Sequence, residues 1–431
     1  MKNLVCAFGL SIGILSAAMA TADAQRRPTP PELPAPTGNF GVGRAEFHWI
    51  DPTRTDPFSL ALADRREVVV YLWYPTSASP GVHRAEYLPG AAEISRALGE
   101  PVMRRQFGSA FEALLDGTVR SFSVDRAPVA RSTQRFPVLL FSPGFAETVL
   151  TYAAQVEELA SHGYVVVGIE HPGDAFATRL HDGRVAAFRR AAWDSARAQP
   201  NGAVAFQLAQ IPIRVADMRF VLDQLGQLTH LPGGRPFAAA LDLHKVGAFG
   251  HSLGGVAAAG MCRVDARVAA CMNEDAEDDG RPFDGGMAAA PIKQPFFFFA
   301  TRHSIYLSAR QPPQSDADLA RNHETRAEHD ALIRIYQENQ DRSLASMPGG
   351  AIRVMAEADD FTHGTFIDRG LLESNATEAP QQLQYLALIR RYTRAFFDQT
   401  LRAQLAPMLS AEGPVDSLIT VNHFRGDMPA H

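Results

Sequence analysis

The stretch that decides the fold is residues 246–255, which read VGAFGHSLGG. Ser252 stands in a Gly-x-Ser-x-Gly frame, with an apolar run before it and the small-residue segment 256–260 after it. This order predicts a strand that turns sharply into a helix and exposes one serine at the turn, as in a nucleophile elbow. Glycine is needed at Gly250 and Gly254 because side chains there would collide across so tight a turn. The sequence therefore predicts that Ser252 is a nucleophile.

Strand and helix patterns alternate around this elbow. Apolar runs typical of strands occur at 42–50, 67–74, 138–141, 164–169, 245–249, 266–272, 295–300 and 352–356, the last strand expected, and helical patterns at 150–162, 214–225 and 383–401. Strands that are apolar on both faces and are separated by helices indicate a mostly parallel sheet covered on both sides. Together with the elbow, this pattern predicts an α/β fold of the α/β-hydrolase type.

The composition is that of a globular protein. The chain has 431 residues, of which 46% are hydrophobic and 20% charged, and its formal net charge is -6. It contains no basic stripe, which argues against a nucleic-acid partner. We expect one catalytic domain over residues 38–431, with insertions near 91–128 and 180–212.

The first 24 residues have the pattern of a secretory signal peptide. Lys2 precedes an apolar run over residues 4–14 that is too short to span a bilayer, and residues 22–24 form a small-x-small cleavage site. The proline-rich residues 25–37 are expected to form an extended linker. The pattern predicts export, either to the periplasm or out of the cell.

The first insertion carries apolar residues at helical spacing, namely Phe107, Phe111, Leu114, Leu115 and Val119. One interpretation is a helix packed on the body of the domain. The other is a lid or lipid-facing helix near the site, which would give the protein a peripheral membrane contact.

Two cysteines follow the predicted signal peptide. Export would permit a disulfide between them. However, Cys262 falls near the end of the helix after the elbow and Cys271 lies inside the next strand, so the two sulfurs need not meet. The sequence is compatible both with a disulfide between these cysteines and with two buried free thiols.

A serine nucleophile needs a histidine base, and the base needs a third group that holds its ring. In α/β-hydrolases the order along the chain is serine, acid, histidine. His363 lies just beyond the strand at 352–356, where this fold places its base. The alternatives are that His303, directly after a strand, is near the site, or that His363 is a loop histidine. The remaining downstream histidines fall in a charged helix (His323 and His329) or a polar tail (His423 and His431).

The acid is found by elimination. Its commonest place is after the strand at 296–299, but residues 300–304 (ATRHS) contain no acid. The preceding strand runs into NEDAEDD at 273–279, and Asp275 sits just past its carboxyl end, where functional groups of a parallel sheet gather. We predict that Asp275 is the acid, with Glu274 and Asp278 as alternatives. The run could also be a solvated acidic loop without a catalytic role.

Two backbone N–H groups must also stabilise the oxyanion of the intermediate. One belongs to Leu253, directly after the nucleophile. The other is expected from residues 141–146 (FSPGFA), where Phe145 follows a glycine after a strand, although a plain Pro-Gly turn has the same appearance. No His or Cys cluster has metal-ligand spacing, so we expect neither metal nor cofactor.

Several stretches together carry a family resemblance: residues 36–43 (PTGNFGVG), 141–145 (FSPGF), 159–164 (LASHGY), 170–171 (EH) and 250–255 (GHSLGG), with Asp275 placed one strand early. They resemble the plasma-type platelet-activating-factor acetylhydrolase family over roughly residues 36–370. The resemblance implies an exported serine esterase that cleaves short or oxidised acyl esters, including sn-2 esters of phospholipids, through an acyl-enzyme. It also implies His171 as part of a Glu-His step, which we interpret as structural.

The sequence departs from the family in two places. Pro143 replaces the histidine of a Ser-His-Gly loop, and the loop after Asp275 stays acidic through Asp279. Alternatives on the same fold are a lipase, a polyesterase or a dienelactone-hydrolase-like esterase. A non-catalytic binding protein is a lesser alternative.

Overall fold

A computed structural model of the chain describes residues 32–59, 63–78, 83–199, 202–276, 291–302, 325–373 and 379–425, and single residues 61, 316 and 319. The predicted signal peptide, His303, His323, His431 and Asp278 lie outside the described residues.

The end of the predicted linker lies against the domain. Leu33 is buried, and the guanidinium of Arg390 donates hydrogen bonds to the carbonyls of Pro34 and Ala35 at 3.0 and 3.1 Å. The ordered part of the chain therefore includes residues before Gly38.

The strands are β1 (Gly41–Thr55), β2 (Arg65–Thr76), β3 (Val124–Asp125), β4 (Phe136–Ser142), β5 (Val165–Glu170), β6 (Ala177–Arg179), β7 (Val185–Ala187), β8 (Leu241–His251), β9 (Val268–Glu274), β10 (Phe296–Thr301), β11 (Ala351–Ala356), β12 (Gly413–Pro414) and β13 (Ile419–Phe424). Eleven of them form one sheet in the order β12-β13-β11-β10-β9-β8-β4-β5-β2-β1-β3. The centre, from β5 to β11, is parallel, whereas β2 and β13 join it antiparallel. The predicted α/β-hydrolase fold is confirmed.

The helices are α1 (Ala91–Leu98), α2 (Glu100–Phe107), α3 (Phe111–Leu115), α4 (Ala153–Ser161), α5 (Arg190–Arg197), α6 (Gly202–Leu208), α7 (Ile211–Gly226), α8 (Arg235–Ala238), α9 (Leu253–Val264), α10 (Arg326–Ala345), α11 (Arg369–Glu373) and α12 (Ala379–Arg402). Alternate residues of β4 point to opposite faces of the sheet, as a strand requires. Leu139 and Phe141 join the core beneath α4 and α12, and Val138 and Leu140 join the core beneath α7 and α9.

The prediction that β11 is the last strand was wrong. β12 and β13 follow α12, and β13 pairs antiparallel with β11. His423 accordingly lies in β13 rather than in a polar tail, and its Nε2 donates to the carbonyl of Ala411 at 3.0 Å. Buried and half-buried residues alternate over only a few positions of 419–424. So short a pattern is a weak strand signal, and the sequence analysis therefore missed β13.

The two insertions differ in burial. Phe107, Phe111, Leu114 and Val119 are buried in the core beneath α4 and α12, which agrees with a helical segment packed on the body. At the start of the second insertion, β7 pairs with the preceding strand β6 in a separate hairpin. The helices α5 and α6 of this insertion carry no fully buried residue. Among the helices of the described ranges, none has the length and apolar character needed to cross a membrane.

A disulfide joins Cys262 to Cys271, with the sulfurs 2.06 Å apart. Of the two open alternatives for these residues, the structure has the bridge. It links α9, which follows the elbow, to β9, which leads to Asp275.

Candidate active site

Ser252 lies at the turn between β8 and α9, with φ of 53° and ψ of -130°. This left-handed conformation is strained for a residue with a side chain, and such strain is concentrated at functional sites. A Cβ atom on Gly250 would lie 2.5 Å from the backbone of Gly254, and one on Gly254 would lie 2.0 Å from the carbonyl oxygen of Ser142. The predicted need for both glycines therefore holds, and it includes close contact with the loop after β4.

Asp275 and His363 are brought together by the fold. His363 begins a short 3-10 helix after β11, and its Nδ1 donates a hydrogen bond to Oδ2 of Asp275 at 2.8 Å. The carboxylate is completely buried, whereas 31% of the histidine side chain is exposed. With Nδ1–H committed to Asp275, Nε2 is left as the acceptor that a general base needs.

Ser252 is half-buried, and its hydroxyl makes no hydrogen bond to any residue that the structure describes. The structure therefore does not connect Ser252 directly to His363. His251, the residue before the serine, packs against His363 with the ring centroids 4.3 Å apart.

Glu274, the alternative acid, points elsewhere. Its Oε1 accepts hydrogen bonds from the amide of Gln155 and from Oγ1 of Thr393, between α4 and α12. Burial raises the pKa of this carboxyl to about 7. Glu274 does not contact His363 and is not a candidate for the acid of this site.

Thr301 is a residue that the sequence reasoning missed. It ends β10, next to β9, and its backbone N–H donates to Oδ1 of Asp275 at 2.7 Å while its hydroxyl donates to Oδ2 at 3.3 Å. Asp275 itself has a φ of 58°. Residues 300–304 were considered as a source of an acid and for His303, but the hydroxyl at the end of the adjacent strand was a signal for a residue that orients the acid.

The two predicted oxyanion donors are available. We call residues 142–146 the oxyanion loop. Among the described residues, none accepts a hydrogen bond from the backbone N–H of Phe145. Leu253 is the first residue of α9, where backbone N–H groups have no partner within the helix and the helix dipole favours negative charge.

A second group of side chains connects the oxyanion loop to His363. The hydroxyl of Tyr152 accepts the N–H of Gly144 at 3.0 Å and donates to Nδ1 of His251 at 2.8 Å. Burial lowers the pKa of His251 well below its usual value, so its ring is neutral where it packs on His363. The sequence reasoning assigned no role to Tyr152 or His251.

His171 is wholly buried beneath the oxyanion loop. Burial lowers its pKa to about 4. The neutral ring donates from Nδ1 to Asp217 at 2.9 Å and accepts at Nε2 from the hydroxyl of Ser142 at 3.0 Å. These contacts agree with the interpretation of His171 as a structural residue.

An elbow at the carboxyl end of a central parallel strand, with a histidine and a buried carboxylate on strands farther along the same sheet, is the arrangement of an α/β-hydrolase. Within the described ranges, no three His, Cys, Asp or Glu side chains gather as they would around a metal ion.

The family can be stated more closely. The family model described as "Platelet-activating factor acetylhydrolase, isoform II" matches residues 30–303, which include Ser252 and Asp275 and end before His363. The chain belongs to this family and is a serine carboxylic-ester hydrolase.

Individual relatives agree with this assignment. A probable 1-alkyl-2-acetylglycerophosphocholine esterase from Arthroderma benhamiae is 26% identical over 297 residues, 66% of this chain and 68% of that protein. A platelet-activating factor acetylhydrolase from Canis lupus familiaris is 26% identical over 288 residues, 62% of this chain and 59% of that protein. Among solved structures, a ferulic acid esterase from Streptomyces cinnamoneus has a TM-score of 0.64 and 25% identity, covering 90% of this chain and 98% of the other.

Proposed function

We propose that this protein is an exported serine esterase that cleaves short or oxidised acyl esters, with the sn-2 esters of phospholipids among its substrates. The observation that carries the catalytic part is the hydrogen bond from His363 to the buried carboxylate of Asp275. The substrate class is supported by membership of the acetylhydrolase family and by the names of the two relatives. Export is supported by the signal-peptide pattern of residues 1–24.

In the first half of the reaction, Oγ of Ser252 attacks the ester carbonyl while Nε2 of His363 takes its proton. The carboxylate of Asp275 stabilises the imidazolium that forms. The carbonyl oxygen becomes negative and accepts hydrogen bonds from the N–H groups of Phe145 and Leu253. The carbon–oxygen bond to the alcohol then breaks, and His363 returns the proton to the departing oxygen.

The second half repeats this chemistry with water. The acyl group is bound to Ser252 as an ester, and His363 takes a proton from a water molecule that attacks it. The same two N–H groups stabilise the second oxyanion. Breakdown of this intermediate releases the carboxylic acid and returns the proton to Ser252.

The catalytic proposal is tested with Ser252→Ala and p-nitrophenyl acetate. We expect no more than a trace of activity in this variant, while Ser195→Ala, at an exposed serine of α5, retains wild-type activity. A fluorophosphonate should label the wild type at Ser252. Activity in Ser252→Ala beyond a trace would refute the mechanism, and absence of labelling would support a non-catalytic binding protein.

The substrate proposal is tested by the dependence of kcat/KM on acyl length. We expect p-nitrophenyl esters to be cleaved in the order acetate, butyrate, octanoate. A phosphatidylcholine with an sn-2 acetyl group should be cleaved in preference to one with two long chains. A preference for long acyl chains would indicate a lipase instead. For export, the mature protein should begin at Gln25, which intact mass of the protein recovered outside the cytoplasm would check.

A second candidate is the hydrolysis of esters of aromatic acids. The ring of Phe145, on the oxyanion loop, contacts Phe188 and Trp193 of the second insertion with ring centroids 5.1 and 4.9 Å apart. These three side chains are half-buried, and the ferulic acid esterase among the structural relatives favours the same substrate class. Methyl ferulate is the test: Trp193→Ala should lower kcat/KM for methyl ferulate and leave that for p-nitrophenyl acetate unchanged. Equal effects on both would exclude an aromatic subsite at Trp193.

A further inference from the structure

The oxyanion loop is held from inside the domain by one buried guanidinium. Arg214, on α7, has no exposed surface. Its Nη1 donates to the carbonyl of Pro143 at 2.5 Å and to Oγ of Ser142 at 3.2 Å, and its Nη2 donates to the carbonyl of Gly144 at 3.2 Å. A single side chain therefore bonds to three consecutive residues of the loop.

These contacts fix the direction of the peptide groups. In a trans peptide the C=O and the N–H point in opposite directions. The Pro143–Gly144 peptide shows this, since its carbonyl faces Arg214 and its N–H donates to the hydroxyl of Tyr152 at 3.0 Å on the other side. Both ends of this peptide are held.

The next peptide is held only at its carbonyl end. The carbonyl of Gly144 accepts from Nη2 of Arg214 and from the N–H of Glu147 at 3.3 Å. The N–H of the same peptide belongs to Phe145, so it points away from the guanidinium, and no described residue accepts it. The direction of the predicted oxyanion donor thus follows from the contact between Arg214 and Gly144.

The surroundings of Arg214 keep it in place. Its Nε donates to Oδ2 of Asp174 at 2.5 Å, and both side chains are buried. Removing a charged pair from water is costly, and its attraction offsets that cost only when the geometry is good and the remaining N–H groups are satisfied. The remaining N–H groups of the planar guanidinium donate to the oxyanion loop. The single nitrogen of a lysine cannot reach the same acceptors from one position.

We propose that Arg214 is a positioning residue for catalysis, because it aligns the N–H of Phe145 with the oxyanion of the transition state. This inference rests on the proposed function, in which Phe145 supplies one of the two oxyanion hydrogen bonds. The bond to the oxyanion forms only as charge develops, so a misaligned donor lowers kcat while KM is little changed.

The test compares Arg214→Lys with Arg66→Lys. Arg66 is also wholly buried, donating to Asp217 at 2.7 Å and to the carbonyl of Pro172 at 2.8 Å, but it does not contact the oxyanion loop. Loss of one oxyanion donor lowers kcat by about 100- to 1,000-fold. For a displaced donor in Arg214→Lys we expect a loss of roughly 10- to 100-fold on p-nitrophenyl acetate, against less than roughly threefold in Arg66→Lys.

A transition-state analogue separates alignment from stability. A trifluoromethyl ketone forms a tetrahedral oxyanion with the serine, so its inhibition constant depends on the oxyanion hydrogen bonds. We expect this constant to rise in Arg214→Lys in proportion to the fall in kcat/KM and to stay at the wild-type value in Arg66→Lys. All rates are expressed per titrated active site, so that loss of folded protein does not count.

Equal kcat and equal inhibition constants in the two lysine variants would overturn the inference. If Arg214→Lys does not fold, Asp174→Asn keeps Arg214 but removes the charged acceptor of its Nε, so the guanidinium is held less firmly. Its kcat/KM should fall and its inhibition constant should rise in parallel, and unchanged values would overturn the inference. A wild-type protein without esterase activity would refute the proposed function itself, which is a different result.

Discussion

Replacement of Asp275 by asparagine is the most direct test of the acid. Oδ1 of Asp275 accepts the N–H of Thr301 at 2.7 Å, a bond that the asparagine oxygen can retain. The new amide group then faces Nδ1 of His363, where the carboxylate oxygen lies 2.8 Å away. Because an amide N–H₂ can only donate, it favours the tautomer with the proton on Nε2, which cannot take the proton of Ser252.

The expected loss follows from the charge and the tautomer together. Asp275 is completely buried, so little water screens it. Two unit charges about 4 Å apart interact by about 4 kcal/mol at an effective dielectric constant near 20. Losing this stabilisation of the imidazolium in the transition state lowers kcat roughly 1,000-fold, since each 1.36 kcal/mol is a factor of ten. With the unfavourable tautomer, we expect a loss between about 10³ and 10⁴.

Glu274→Gln is the matched control. Glu274 is the preceding residue, is equally buried and also loses a carboxylate, but its side chain lies against Gln155 and Thr393. On p-nitrophenyl acetate, with active sites titrated, we expect kcat within roughly threefold of the wild type. A variant Asp275→Asn with a tenth or more of the wild-type kcat, or an equal loss in Glu274→Gln, would refute the assignment of Asp275 as the acid.

Three further predictions concern the support of the site. Gly254→Ala places a Cβ 2.0 Å from the carbonyl oxygen of Ser142, so the loop or the elbow must shift, and kcat of the folded variant should fall at least roughly 100-fold. Replacing Cys262 and Cys271 by alanine opens a disulfide with a sequence separation of 9 and should lower the free energy of unfolding in urea by about 2–3 kcal/mol. Burial raises the pKa of Glu274 from 4.5 to about 7. The wild type should therefore lose up to about 3 kcal/mol of stability relative to Glu274→Gln as the pH rises from about 4.5 through 7, and a constant difference would contradict this.

The elbow could be predicted from sequence because the residues that form it are neighbours along the chain. A buried strand, two glycines that permit a tight turn and a helix of small residues all lie within the same short stretch, 246–260. Asp275 could be predicted for a related reason. Functional groups of a parallel sheet gather at the carboxyl ends of strands, and residues 300–304, after the next strand, contain no acid. The choice reduced to the run at 273–279.

The residues that support the site could not be predicted in this way. Arg214 lies 72 residues from Ser142 and 40 from Asp174. On the sequence it cannot be distinguished from Arg219, the exposed arginine of the same helix. Thr301 lies 26 residues from Asp275. Their roles depend on which strands and helices are adjacent in space, and no periodicity of the chain encodes that order.

The three catalytic candidates are held by different kinds of contact. The N–H of Ser252 donates to the carbonyl of Glu274 at 2.8 Å, and the N–H of Asp275 donates to the carbonyl of Phe299 at 2.8 Å, so the hydrogen bonds of the sheet extend into both strained turns. The left-handed conformations at Ser252 and Asp275 persist because the surrounding backbone determines them. His363 is instead placed by side chains, through its bond to Asp275 and its packing on His251. Substitutions of those two side chains should therefore displace the base while leaving the nucleophile in place. Ester hydrolysis should fall in such a variant, while its crystal structure should show an unchanged turn at Ser252.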